Sequence, residues 1–305
     1  MLLANTSWGL MSPVAKMVMA GGIVTPLVLT DVRIFGAMVI FWLLSAFQKP
    51  EHVDHHDLAR LFGASLLAVI LNQGSFIFGV GLTSPADASI ITTSMPLWAM
   101  ALAAWFLKEP ITGKKVLGIA FGAGGALLLI VGSAQTTVSA TDSAHHIWGD
   151  LLVLFAQLSY ALYIVLYKNF VSKYSLVTIM KWMFTFSFIV AMPFSYRAIA
   201  HTPWTQLAGN TLLGMAFVVV FGTCVSYFMV LVGQKHLRPT VAGMYNYVQP
   251  VVACIVTVCM GMDRFTILKG IAVLFIFGGV YLVTISRSKA QIEAYEKQKE
   301  EKVKH

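Results

Sequence analysis

The chain has 305 residues, of which 58% are hydrophobic and only 11% are charged. Soluble domains carry about 25% charged residues, so this composition excludes an ordinary water-soluble protein. The net charge of +8 could suggest nucleic-acid binding, but the basic residues lie between apolar runs and at the C-terminus, as expected of cytoplasmic loops.

Continuous apolar runs of about 20 residues predict an all-α integral membrane protein with ten transmembrane helices. A membrane β-barrel would instead show alternating apolar and polar residues. Charge clusters, prolines and glycines place the spans at 2–20, 27–48, 59–82, 86–107, 113–134, 147–167, 175–196, 209–233, 239–261 and 265–286. The predicted organisation is a five-helix repeat at 1–134, an extracytoplasmic linker at 135–146, a second five-helix repeat at 147–286 and a charged cytoplasmic tail at 287–305.

Lysine and arginine are distributed unequally between the two sides of these spans. Fifteen of the 21 basic residues fall on one side and three on the other. The positive-inside rule therefore predicts a multi-pass protein of a bacterial-type plasma membrane with both termini in the cytoplasm. The remaining three basic residues, Lys16, Arg33 and Lys181, lie within spans.

The two halves of the chain repeat each other. Segments Pro85–Gly125 and Pro239–Gly279 align without a gap, and the opening helices align separately, with Trp8 opposite Tyr160. The matched pairs include Pro85 with Pro239, Pro96 with Pro250, Glu109 with Asp263, Thr112 with Thr266, Lys115 with Lys269 and Gly125 with Gly279. Since each half has an odd number of spans, the repeats are expected to lie in the membrane with opposite orientations.

These features resemble the EamA family of the drug/metabolite transporter superfamily. The resemblance rests on Trp8-Gly9 in the first helix and on the small-residue stretch that leads to Pro96 and then to Leu107-Lys108-Glu109-Pro110. The second copy departs from this pattern, with Met262-Asp263-Arg264 in place of Lys-Glu-Pro. The resemblance implies export or exchange of small metabolites such as amino acids, but it does not identify the substrate.

Polar and aromatic residues inside spans are the candidates for substrate binding, because apolar residues would be less costly there. They are Trp8, Asn72, Gln73, Thr92, Thr93, Tyr160, Tyr163, Tyr227, Tyr245, Asn246 and Gln249. Pro96 and Pro250 follow two of these groups and are expected to loosen the fourth and ninth helices. The alternative roles are hydrogen bonding between helices for the Thr, Asn and Gln residues and packing for the aromatic ones.

Lys16 and Arg33 could attract a substrate carboxylate. Alternatively, both could extend to the outer interface, and Asp31 could pair with either. No carboxylate is expected at the middle of the membrane, which argues against a carboxylate-driven cation antiporter.

The predicted function is a membrane transporter that exports or exchanges small metabolites by alternating access around a midplane cavity between the repeats. The alternatives are a proton-coupled drug exporter, a membrane-embedded enzyme or a scaffold. An enzyme is disfavoured because no predicted helix combines a carboxylate with a histidine. The expected partners are a small-molecule substrate and the lipid bilayer, without nucleic acid, cofactor or metal. The chain is expected to be a monomer or, through the glycine face of its fifth helix, a homodimer.

Overall fold

The computed structural model describes residues 1–106, 112–135, 140–171, 173–230, 245 and 248–285. Within these ranges every regular element is helical and no strand occurs. The elements are α1 (Leu2–Ala20), α2 (Pro26–Ala46), α3 (His55–Ser65), a first π segment (Leu66–Gly74), α4 (Ser75–Leu82), α5 (Pro85–Thr92), α6 (Met95–Phe106), α7 (Gly113–Gln135), α8 (Ala140–Val171), α9 (Leu176–His201), a short 3-10 turn (Trp204–Gln206), α10 (Gly209–Val219), a second π segment (Val220–Val225), α11 (Val248–Cys259) and α12 (Ile267–Thr284).

Seven helical stretches in the described part of the chain are long and apolar enough to cross a membrane. They run over Pro26–Ala46, His55–Leu82, Pro85–Phe106, Gly113–Val131, Ala144–Tyr167, Leu176–His201 and Gly209–Val230. Helices α1, α11 and α12 occupy the other three predicted positions. The prediction of an all-helical membrane protein is therefore confirmed, whereas the predicted tail at 287–305 lies outside the described residues.

Side-chain caps set several helix starts. The hydroxyls of Thr25, Ser84 and Ser175 accept hydrogen bonds from the first-turn amides of α2, α5 and α9. Thr112 and Thr266, which the internal repeat matches, accept hydrogen bonds from the amides of Lys115 and Lys269 at the starts of α7 and α12. The repeat thus extends from sequence to local structure.

Four spans depart from simple expectation. The fourth span is broken, because α5 ends at Thr92 and α6 begins at Met95, just ahead of Pro96. The third and eighth spans each contain a π segment. Helix α8 begins at Ala140, inside the predicted linker, so it carries both His146 and Asp150. The expectation that no helix combines a histidine with a carboxylate was therefore wrong.

The first helix of each half packs on the third helix of the other half. Asn72 Nδ2 donates to the carbonyl of Ala156 at 2.8 Å, and Ser226 Oγ, which donates to Phe221 in its own helix, lies 3.4 Å from the carbonyl of Ala4. The repeat matches Asn72 with Ser226 and Ala4 with Ala156. The two contacts are therefore counterparts, and each one joins the two halves.

The fifth helices of the two halves, α7 and α12, also pack on each other through glycines. A Cβ added at Gly125 would lie 2.8 Å from the Ala272 carbonyl oxygen, and one added at Gly279 would lie 2.5 Å from that of Gly118. Backbones this close tolerate only glycine. The glycine face therefore serves packing within the chain in this structure.

The remaining core lies between α2 and α9. The Phe41 and Phe184 rings stack at 5.8 Å, and the Trp42 and Trp182 rings meet edge to face at 5.7 Å. Both pairs join one half to the other. The interior between the halves is thus lined mainly by α1, α8 and the two π segments.

Candidate functional site

The two π segments occupy matching places in the two halves, since the repeat aligns Leu66 with Val220. Side chains close the wide turns of the second segment: Thr223 Oγ1 donates to the Val218 carbonyl at 3.1 Å and Ser226 Oγ to that of Phe221 at 2.6 Å. Single π turns within helices are frequent at functional sites. Predicted site residues lie on or next to both segments.

A group of polar and aromatic side chains gathers around these segments, and we call it the central cluster. Its members are Trp8, Arg33, Gln73, Tyr160, Tyr163, Thr223 and Tyr227. Trp8 Nε1 donates to the Gly222 carbonyl at 3.1 Å, and its ring meets that of Tyr227 edge to face at 6.1 Å. Gln73 Nε2 lies 3.4 Å from the Tyr227 hydroxyl. Residues from both halves therefore meet at Tyr227.

Helix α8 supplies the aromatic side of the cluster. The rings of Tyr160 and Tyr163 lie 5.7 Å apart, and Tyr163 belongs to a hydrophobic cluster against which both Tyr160 and Tyr227 pack. The Tyr163 hydroxyl also contacts Met183 Sδ at 4.0 Å. The predicted aromatic candidates Trp8, Tyr160, Tyr163 and Tyr227 thus come together.

The two segments that precede the matched prolines also touch. Gln249 Nε2 donates to Thr92 Oγ1 at 3.1 Å, and Thr92 Oγ1 donates to the Ser89 carbonyl at 2.7 Å. Gly9 packs against this contact, because an added Cβ there would lie 2.6 Å from the Gln249 carbonyl oxygen. The Trp8-Gly9 pair therefore places one residue in the central cluster and the next against Gln249.

Other predicted site residues are engaged differently. Asn72 bonds the α8 backbone, and Thr93 Oγ1 donates to the Ile90 carbonyl at 2.6 Å, both as expected of packing residues. Tyr245 is half-buried, and Pro250 is buried in the first turn of α11. Asn246 lies outside the described residues.

The two candidates for carboxylate attraction have different surroundings. Lys16 Nζ donates to the carbonyls of Gly81 and Thr83 at 2.7 and 3.0 Å, and so caps the end of α4. Arg33 is 3% exposed, and its Nε donates to Thr223 Oγ1 at 2.8 Å. Asp31 is also buried, but it forms no ion pair with either of them in the structure.

One end of the bundle, here called the Asp87 end, holds a buried ionic network. Lys269 Nζ lies 3.0 Å from Asp87 and 2.5 Å from Asp263. Lys269 lies near the start of the predicted tenth span, at 265–286, and is only 6% exposed. The sequence does carry one signal of this ion pair, because an acidic residue precedes both Lys115 and Lys269 by six positions. At Lys269 this spacing lets the two side chains meet across the start of α12.

The same end carries a second contact between the halves. Thr83 Oγ1 donates to Asp150 Oδ1 at 2.5 Å and lies 3.4 Å from His146 Nδ1. Asp87 and Asp150 are both fully buried. The sequence predicts Asp87 near the outer interface and Asp150 at a helix start, but it does not predict that both carboxylates are buried at the same end.

The opposite end, here called the Lys173 end, joins the halves through a more exposed contact. Lys173 Nζ lies 2.5 Å from Asp57 Oδ2, and the Tyr174 hydroxyl donates to the same oxygen at 2.6 Å. Glu51 accepts a hydrogen bond from the Ser175 amide at the start of α9. The hydrogen bond to Asp57 raises the pKa of the Lys173 ammonium, so the pair stays ionised at neutral pH.

Comparison with known proteins shows which family has this architecture. Residues 1–131 and 147–285 match the model of the EamA-like transporter family. The chain is 23% identical to the uncharacterized transporter YetK of Bacillus subtilis, over 86% of this chain and 78% of the relative. It is 24% identical to the WAT1-related protein At2g40900 of Arabidopsis thaliana, over 81% of this chain and 66% of the relative.

A further relative is the uncharacterized inner membrane transporter YicL of Salmonella typhimurium, with 21% identity over 95% of this chain and 96% of the relative. A protein of known crystal structure has the same fold with a TM-score of 0.64 at 17% identity, and the match covers 93% of this chain and 97% of that one. The similarity therefore extends over both halves of the chain.

Proposed function

Because the chain belongs to the EamA-like transporter family of the drug/metabolite transporter superfamily, we propose that it exports or exchanges small metabolites such as amino acids by alternating access. It is a multi-pass membrane transporter. In this proposal the cargo leaves the protein chemically unchanged, and the central cluster binds it between the two halves.

The observation that carries the proposal is the reciprocal packing of first and third helices. The counterpart contacts of Asn72 with Ala156 and of Ser226 with Ala4 support two inverted halves that meet on one pseudo-twofold axis. In such an arrangement both halves contribute to a site near the middle of the membrane. Gln249 and Thr92 then supply the contact that must rearrange as the halves rock.

The two ends of the bundle supply the alternate closures. In the proposed orientation the Asp87 end faces the exterior and the Lys173 end faces the cytoplasm, with both termini, because most basic residues lie on the latter side. The exterior closure is the buried network of Asp87 with Lys269, and the cytoplasmic closure is the pair of buried Asp57 with the half-exposed Lys173. Each closure joins one half to the other.

The test is untargeted metabolomics of bacterial cells that express the protein, compared with cells that carry the empty vector. We expect one class of small metabolite to fall inside the cells and to rise equally in the medium. An unchanged metabolite profile inside and outside, with the protein present in the membrane, would overturn the proposal.

A further inference from the structure

Arg33 is a charged side chain buried in the interior of the bundle. It lies in α2, on the first half, and contacts the second π segment, on the second half. A guanidinium removed from water is expensive unless an anion or several acceptors compensate it. The position therefore calls for a partner.

The described residues supply little compensation. Only the Nε–H of Arg33 donates a hydrogen bond, to Thr223, and no described carboxylate lies within ion-pair distance of the guanidinium. The carboxylates that form ion pairs do so at the two ends: Asp87 and Asp263 hold Lys269, and Asp57 holds Lys173. The outer edge of the guanidinium, with its Nη groups, has no acceptor in the described part of the chain.

The surroundings of Arg33 suit a small organic anion. Thr223 fixes the guanidinium by its Nε edge, and Tyr227 lies one turn beyond Thr223 in the same continuous helix. Tyr227 in turn contacts Trp8 and Gln73, and a buried oxygen of the Gln73 amide has no partner among the described residues. A charged anchor thus lies beside aromatic rings and an unused polar group.

We propose that Arg33 is the receptor for the carboxylate of the transported substrate, and that the substrate is a small carboxylate with an apolar or aromatic body. This rests on the proposed function, because it places the substrate in the central cluster. A guanidinium pairs with a carboxylate through two parallel hydrogen bonds, while the Trp8 and Tyr227 rings pack on the body. One cation balances one carboxylate, whereas a phosphate dianion would require a second.

Lys16 is the competing receptor, and its contacts argue against it. Its ammonium already donates two of its three N–H bonds, to the carbonyls of Gly81 and Thr83 at the end of α4. Two acceptors hold Lys16 in place, whereas one acceptor orients Arg33 and leaves its outer edge available. The contacts of the two side chains, which the sequence does not reveal, therefore favour Arg33 over Lys16 as the receptor.

The experiment measures ligand-induced thermal stabilisation of the purified full-length protein in detergent, with acids and their matched amides as probes. The pairs are phenylalanine with phenylalaninamide, leucine with leucinamide, and 3-phenylpropionate with 3-phenylpropionamide; phenyl phosphate is the second oxyanion. We expect an acid to bind at least about tenfold more tightly than its amide, as for the loss of a charge-assisted hydrogen bond. In Arg33→Gln that preference should disappear.

Lys181→Gln is the matched control, because it removes a cation that bonds Ser45 and lies over the Trp42 ring, away from the central cluster. It should keep the preference for the acid. If Arg33→Gln does not fold, Arg33→Lys decides: its ammonium cannot form the two parallel bonds, so the acid should bind about tenfold more weakly while the amide is unchanged.

Three results would overturn the assignment of Arg33: no acid stabilises the wild type, the acid preference survives in Arg33→Gln, or phenyl phosphate stabilises more than the acids. The proposed function fails separately. An acid that binds through Arg33 without any metabolite leaving expressing cells would refute export but not the receptor. Export of a metabolite without a carboxylate would support export and refute Arg33 as the carboxylate receptor.

Discussion

Polar side chains inside the spans separate into two groups at the residue scale. Asn72, Thr93 and Lys16 bond backbone carbonyls and so serve helix packing. Gln73 and Gln249 instead bond side chains of the opposite half. Contacts of the second kind can exchange by side-chain rotation alone, without a shift of either backbone. They are accordingly the ones expected to change during transport.

The Gln249 contact provides a direct test at this scale. Gln249→Leu removes the hydrogen bond to Thr92 and leaves an apolar side chain of similar size, so we expect transport to be lost while the protein still inserts and folds. Efflux of the exported metabolite and size-exclusion chromatography in detergent measure the two outcomes.

Gln206→Leu is the matched control, because Gln206 lies exposed in the short turn before α10. The same substitution there should leave efflux unchanged. Undiminished efflux in Gln249→Leu would remove this residue from the transport site.

At the element scale, close approach of α7 and α12 holds the fifth helices together. Gly279 faces the Gly118 carbonyl and the Gly122 amide, whereas the neighbouring Gly278 faces open space. A methyl group added at Gly279 would therefore clash with the α7 backbone, whereas one added at the adjacent Gly278 would not. Substituting alanine at each position in turn tests this difference.

Gly279→Ala should destabilise the protein by about 1–3 kcal/mol, because the added methyl would force the two backbones apart. Gly278→Ala should leave stability unchanged or slightly higher, since alanine favours a helix more than glycine does. Thermal unfolding in detergent compares the two. Equal melting temperatures would contradict the packing of α7 on α12.

The elements themselves could largely be predicted from the sequence, because an apolar run of about 20 residues has one stable solution in lipid. The break before Pro96 follows from the missing amide hydrogen. The π segments could not be predicted from the sequence. A widened turn depends on side chains such as Thr223, whose hydroxyl bonds a backbone carbonyl of the turn in the packed structure. The burial of Lys269 could not be predicted from hydropathy. A lysine at the start of a helix has the same hydropathy whether it is exposed to solvent or buried in an ionic network.

The candidate site was predicted in composition but not in arrangement. The aromatic residues and both glutamines were identified as expensive to bury, and the structure brings most of them together. Which helix of one half meets which helix of the other is set by packing, so the partnership of Arg33 with Thr223 had no sequence signal. Polar and aromatic side chains inside a span are thus recognisable from one sequence, whereas the residues that they contact are not.

At the scale of the whole molecule, the two ends differ in how firmly they are closed. Lys269 is buried between Asp87 and Asp263, whereas the Lys173 side chain is 52% exposed beside Asp57. A buried pair resists opening more than an exposed one, because separation leaves charges away from water. The Asp87 end should therefore be the more stable closure.

Lys269→Met removes the ammonium that two carboxylates share, and we expect it to lower stability by about 3 kcal/mol. Lys173→Met is the control and should change the melting temperature little, because solvent already screens that pair. Comparable losses in the two variants would contradict the difference between the ends.

In the proposed mechanism the two halves close the two ends alternately around one central cluster. Its most direct test is efflux from a chain whose three native cysteines are replaced by serine and which carries one new cysteine pair, either at Asp87 and Lys269 or at Asp57 and Lys173. A short reducible thiol crosslinker would then lock one end. We expect either crosslink to stop efflux and reduction to restore it. Full efflux through a protein crosslinked at either end would contradict alternating access.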